Sequence, residues 1–195
     1  MKAFTNTIHT KESAVALAKQ HQEQDNYIRG TYGNKTPTGW KGCSVGCMAK
    51  GKHADYVELF GIDPKIAHLS DKFFEKIIDF RGWTVKLFAS VEEGGDTTLA
   101  YYKFMHWLIL DEEHGVVKYN RSASVLEVGT LFLNASKGEM ATQEQWSAAT
   151  YATYAAYAAY AAANAAYAAY AANAVCLNHY DIMADKLCYF LAGGN

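Results

Sequence analysis

The residues best suited to chemistry lie in one stretch, residues 29–53, RGTYGNKTPTGWKGCSVGCMAKGKH. It holds five cations (Arg29, Lys35, Lys41, Lys50 and Lys52), and no acid falls between Asp25 and Asp55. Glycines stand at 30, 33, 39, 42, 46 and 51. Glycine lets the backbone approach a ligand closely and present its amides in concave nests that hold phosphate. Thr36, Thr38 and Ser44 add hydroxyls, and Tyr32 and Trp40 offer faces on which a base can stack. The pattern predicts a pocket for an anionic, ring-containing small molecule. Lys35 and Lys41 would meet the phosphate charge, and Gly42, Cys43, Ser44 and Gly46 would line it. Tyr32 or Trp40 would stack, and His21 and His53 would supply polar edges. The stretch lacks the Gly-Lys-Ser/Thr ending of a Walker A loop and does not match the dinucleotide-binding glycine fingerprint. The plainer alternative is a glycine-rich surface loop whose lysines are only solvated.

The thiols support further readings. Cys43, Cys47 and His53 have spacing that zinc allows, with Cys176 or His179 as a distant fourth ligand, but no second CxxC pair is present. Cys43 or Cys47 could instead be a nucleophile, its proton taken by His21, His53 or His179. Both thiols could equally be small buried hydrophobes that seat the loop on the core. His106, inside FMHWLIL, reads as a satisfied core histidine, and His21 with Asp25 as an i, i+4 pair on a helix.

Helices must position these groups. Thr10 reads as the N-cap of a helix from 11 to 28, with Ala14, Leu17, Ala18, His21 and Ile28 along one stripe. Residues 29–52 read as a loop with one helical turn inside. HADYVELF is helical and Gly61 stops it; Asp63-Pro64 opens a second short helix. Ser70 then caps DKFFEKIIDF, with Phe73, Phe74, Ile77 and Ile78 buried. Residues 83–91 fit a helix or a strand. TTLAYYKFMHWLIL marks a central helix, 116–119 a short extended piece, and 121–135 another buried helix broken at Gly138.

Thr142 caps the last segment, where tyrosines stand at 151, 154, 157, 160, 167 and 170 in a background of alanine. Alanine's propensity favours a helix from 143 to 175 before any packing is considered. A spacing of three falls about 60° behind per step, so these rings sweep around the helix and call for partners on several sides. The uncharged run between Glu144 and Asp181 is long enough to span a bilayer, but Asn164 and Asn173 interrupt it and no basic cluster flanks it.

A chain of 195 residues with 19% charged residues and only 2 prolines fits one helix-rich domain. The formal net charge of −2 excludes a general field for nucleic acid or anionic membrane. The opening MKAFTNTIHTKES has no apolar core of a secretory signal, which predicts a cytoplasmic protein with reduced thiols.

Several stretches stand together in order: HQ-x-x-D, GCSVGC, H-x-x-Y with LFGID, FMHWLILDEEHGV, the Tyr/Ala repeat and MADKL. Together they resemble a group of uncharacterised proteins encoded by phages and bacteria. The resemblance covers nearly the whole chain and implies a single all-α domain, residues 1–195, with a site near GCSVGC. By analogy with small phage proteins that act by binding, the expectation is a cytoplasmic, non-enzymatic homo-oligomer of the bacterial host. It would sequester a phosphate-bearing nucleotide used as an immune alarm, an anti-defence sponge needing no cofactor and engaging neither nucleic acid nor membrane. The alternatives are a thiol- or zinc-dependent hydrolase using Cys43, Cys47 and His53, and a scaffold that docks a host protein through the Tyr/Ala helix.

Overall fold

The computed structural model describes residues 1–37, 39–148 and 174–195, with backbone only for 174–178. The chain is mainly helical, as its composition predicts. It groups into two compact units, one made of residues 1–98 with 180–195 and the other of residues 99–179.

In the first unit, α1 (Lys11–Glu23) is capped by Thr10, whose hydroxyl accepts from the Ser13 amide. It stops five residues short of the predicted end because Asp25 takes a left-handed backbone (φ 52°). Tyr27 then pairs with Gly42 as extended chain, and Ile28 is left half-exposed instead of joining the stripe. The predicted loop is more ordered than its glycines suggest. It contains an antiparallel hairpin, β1 (Asn34–Thr36) with β2 (Gly39–Lys41), and a short helix α2 (Ser44–Ala49). Gly33 makes the hairpin possible: its φ is 95°, and a Cβ there would lie 1.8 Å from the Lys41 carbonyl oxygen.

A 3-10 turn at His53–Asp55 leads into α3 (Tyr56–Phe60), which Gly61 closes. α4 (Pro64–Phe74) starts with Asp63 as cap and runs unbroken through Ser70. Ser70 is therefore not a new N-cap. Its hydroxyl is spent in the interior, and the helix ends at Phe74, which leaves Ile78 on the surface at 69% exposure. Residues 83–91 resolve as helix: α5 (Phe80–Ser90), whose cap Asp79 accepts from Gly82 N. α5 packs on α1 and α4, and α2 on α1 and α4. The centre is aromatic, with Phe60 and Phe88 centroids 4.7 Å apart and Tyr56 beside both. Leu187 and Leu191 of the C-terminal helix (Ala174–Leu191) are also buried.

A buried hydroxyl cluster holds α2, α4 and α5 in register. Thr84 donates to Ser44 Oγ at 3.0 Å, Ser44 and Ser70 hydroxyls lie 3.3 Å apart, and Trp83 Nε1 donates to Ser70 O and Oγ. Each partner satisfies a group whose burial would otherwise cost about 1–3 kcal/mol.

In the second unit, α6 (Thr97–Leu110) supplies most of its length and α7 (Ala123–Ser136) packs Val125, Val128 and Leu131 with Ile109. α6 is half-buried along much of its surface, less enclosed than its apolar run predicts. Residues 116–118 form a 3-10 turn instead of an extended piece. Thr142 and Gln145 form a reciprocal capping box, and residues 143–148 are helical. The tyrosine repeat lies outside the described residues. Among the described residues no helix is long and apolar enough to cross a membrane.

Gly46 carries the tightest backbone approach onto α2, since a Cβ there would lie 1.9 Å from the Tyr32 carbonyl oxygen. Gly46→Ala should therefore destabilise the chain by about 1–3 kcal/mol, the usual cost of overpacking. Urea melts of Gly46→Ala against the wild type would read the loss.

Candidate functional site

The predicted phosphate nest is largely occupied by the chain itself. Gly42 N donates to Asn26 O, Cys43 N to Thr31 O, and Gly46 N to Cys43 Sγ. Gly42, like Gly46, is pressed against the backbone of Tyr32, so these glycines serve chain packing. Ser44 is fully buried in the hydroxyl cluster. Lys35 is exposed on β1 and pairs across the hairpin with Trp40, while Lys41 ends β2 and is half-buried. Trp40 donates its indole N–H to Tyr32 O, and Arg29 is consumed by the carbonyls of Phe74 and Ile77 and by the face of Phe80.

His21 lies in the last turn of α1. Its Nδ1 is 3.2 Å from Asn26 Nδ2, and burial holds its pKa below the usual histidine value. It does not pair with Asp25, which sits beyond the end of α1 and bridges to Arg81 at 2.9 Å. His106 has its Nδ1 3.1 Å from Gly129 O, the satisfied histidine its apolar setting predicts.

Cys43 and Cys47 face different surroundings. The Cys47 thiol points at the carbonyls of Gly42, Asn26 and Trp40 at 3.5–3.8 Å, and burial pushes it up to about 12. It seats α2 on the chain below. Cys43 caps α2 and lies near Asp71. Burial, then the Asp71 carboxylate, pushes its thiol up to about 12, against the opposing pull of the Gly46 amide.

Around His53 the structure gathers groups that sequence spacing did not connect. His53 Nε2 lies 3.8 Å from Asp71 Oδ2, and both side chains are mostly buried. The imidazoles of His53 and His68 stack at 3.8 Å and 11°. Tyr32 stands edge-on to His53 at 5.6 Å and is 51% exposed, so together with exposed His68 it forms the rim. Burial, then the neighbouring His68, lowers the His53 pKa, while Asp71 works in the opposite direction. Asp71 leads the groups that raise Tyr32, and Glu75 adds to it.

Three buried polar atoms among the described residues have no hydrogen-bond partner: His53 Nε2, Asp71 Oδ1 and Tyr56 Oη. Tyr56 is wholly enclosed, and burial raises its hydroxyl well above the ordinary value, with Ser44, Cys43 and Asp71 among the groups that act on it. Two of these orphans, on His53 and Asp71, belong to side chains that approach within 3.8 Å. Among the described residues no group of three or more His, Cys, Asp or Glu is placed to hold a metal ion. His179 lies in the second unit near His114, and the side chain of Cys176 is outside the described residues.

Asp71, His68 and Tyr56 were the residues that sequence reading missed. Their signal was weak: Asp71 sits among helix-forming residues, and one turn of α4 separates it from His68.

Two outcomes follow. Asp71→Asn removes the anion that opposes thiolate formation, so the Cys43 pKa should fall and iodoacetamide should label Cys43 faster at pH 8. Separately, His21 and His53 have folded pKa values below the ordinary 6.5, so the unfolded chain binds more protons in acid. Their contribution to stability is intact above that value and is lost as pH falls from 6.5 towards the folded pKa values. Melting temperature should drop over that window, and His53→Gln should flatten the drop. No family model, curated protein or solved structure matches this chain.

Proposed function

We propose that the chain binds a small cationic molecule rich in N–H donors, anchored on Asp71 behind the rim of Tyr32 and His68. One observation carries this reading: enclosed polar atoms of His53, Asp71 and Tyr56 lack hydrogen-bond partners. An unpaired buried acceptor costs about 1–3 kcal/mol, and more when it is charged, so a ligand that supplies donors recovers that cost on binding. The charge favours a cation. Asp71 and Glu75 both raise Tyr32, and the Glu75 carboxylate already accepts from the Gly30 amide. The stacked imidazoles and the Tyr32 ring suit a planar head group such as an amidinium or guanidinium.

The nucleotide-sequestering reading draws less support from this geometry. A phosphate needs free amides and cations, whereas the amides of Gly42, Cys43 and Gly46 are engaged within the chain. The likeness to phage and bacterial proteins adds no activity of its own.

A thermal-shift panel separates the two. Guanidinium-bearing and amine ligands such as agmatine should raise the melting temperature, and a ligand at a hundred times its Kd should add about 2.7 kcal/mol. Cyclic and ADP-ribose-type nucleotides should leave it unchanged. Asp71→Asn should abolish the agmatine response. Stabilisation by nucleotides alone would return the site to phosphate binding.

A further inference from the structure

We infer that a proton on His53 competes with the cationic ligand for Asp71, so that the site holds its ligand at neutral pH and releases it in mild acid. This rests on the binding reading above and adds its regulation.

The geometry leaves Asp71 poised between two partners. His53 Nε2 and Asp71 Oδ2 are 3.8 Å apart, within reach of an ion pair but too far for a hydrogen bond, and Nε2 is enclosed with no partner. Asp71 Oδ1 is likewise enclosed and unpartnered. The two side chains keep only 12% and 17% of their surface exposed, so solvent screens their interaction poorly. A neutral imidazole leaves the carboxylate to the ligand. An imidazolium draws the carboxylate in and closes the gap to a charge-assisted hydrogen bond, which consumes the anion that the ligand needs. His68, stacked on His53 at 3.8 Å with the ring planes 11° apart, opposes that proton and favours the neutral resting state.

The turn that carries His53 packs on α2, α3 and α4. From α4 come His68 and Asp71, and Asp71 is the only carboxylate within ion-pair distance of His53 among the described residues. α2 (SVGCMA) carries neither carboxylate nor cation, and burial keeps the thiols of Cys43 and Cys47 protonated. α3 brings the enclosed Tyr56, which burial holds neutral, and Glu58, which is exposed. The turn and its flanks add exposed Lys50 and Lys52 and half-buried Asp55. Tyr32 stands edge-on at 5.6 Å, its hydroxyl kept protonated by Asp71. A cation seated on Asp71 cancels the one influence that favours the His53 proton and adds a second positive charge beside it. His53 therefore holds its proton more weakly in the complex, and by linkage the protonated chain holds the cation more weakly by the same factor. Affinity is full above about 6.5, the ordinary histidine value, and falls as pH drops through the lower value of the free chain.

The test uses the full chain and agmatine, whose guanidinium and amine both stay protonated from pH 8 to pH 5. NMR follows the His53 ring with and without agmatine, and calorimetry reads the affinity across the same range in two buffers of different ionisation enthalpy. The His53 titration should move to lower pH when agmatine is present. The agmatine Kd should be flat from pH 8 to about 6.5 and then rise, approaching about tenfold per pH unit for one competing proton. Binding in acid should release that proton to the buffer. In Asp71→Asn without ligand the His53 titration should also move down, because the carboxylate that favours its proton is gone. Binding at pH 8 with an unmoved His53 titration, or with a shift confined to His68, overturns the inference and leaves the binding reading standing. A His53 titration in folded Asp71→Asn identical to the wild type overturns it as well. Absence of agmatine binding at pH 8 removes the binding reading and the inference together.

Discussion

The close seating of the Tyr32 backbone against α2 is the contact on which the first unit's chemistry depends. Its carbonyl accepts the Trp40 indole N–H and occupies the space that side chains at Gly42 and Gly46 would need. That approach fixes the hairpin to the helix, sets the Tyr32 ring beside His53, and leaves Cys43 at the head of α2. Hydrogen bonds from Gly42 to Asn26 and from Ile28 to Gly42 clamp the same segment to the end of α1. Glycine is needed here because two stretches of main chain touch. The residues that looked like a cradle for a ligand are the ones that let the protein grip itself.

The hydroxyl cluster beneath this contact does complementary work. Ser44, Ser70 and Thr84 come from three helices, and their mutual hydrogen bonds are directional where the surrounding Phe60, Phe88 and Tyr56 contacts are not. An apolar interface tolerates sliding, whereas a buried hydroxyl out of register loses its partner. The cluster therefore sets the rotation of α4 relative to α2, and that rotation carries Asp71 and His68 toward His53.

Much of the helical framework was legible from local signals. Thr10, Asp63-Pro64, Gly61, Gly138 and Thr142 each act through chemistry confined to a few residues, and each marks a boundary in the structure. Ser70 misled because serine before an acid resembles a cap, while its true partners, Trp83 and Ser44, lie far away in sequence. The hairpin was hidden by short strands of three residues each, too brief for alternation to register. At the site, the sequence drew attention to Cys43 and His53 but not to Asp71. A carboxylate inside a helix looks like any solvated acid until tertiary packing places it against a thiol and an imidazole.

The division of the chain has a consequence for the order of events at the ribosome. The first unit is interrupted after residue 98 and resumes at residue 180, and its interior includes Ala184, Leu187 and Leu191, with Glu92 N held by Leu191 O. Those residues emerge only after residues 99–179. A nascent chain that has already produced residues 1–98 still lacks part of this unit's interior, so vectorial synthesis cannot complete it early. The intervening residues 99–179 are made while that interior is open, and closure waits for residues 180–195.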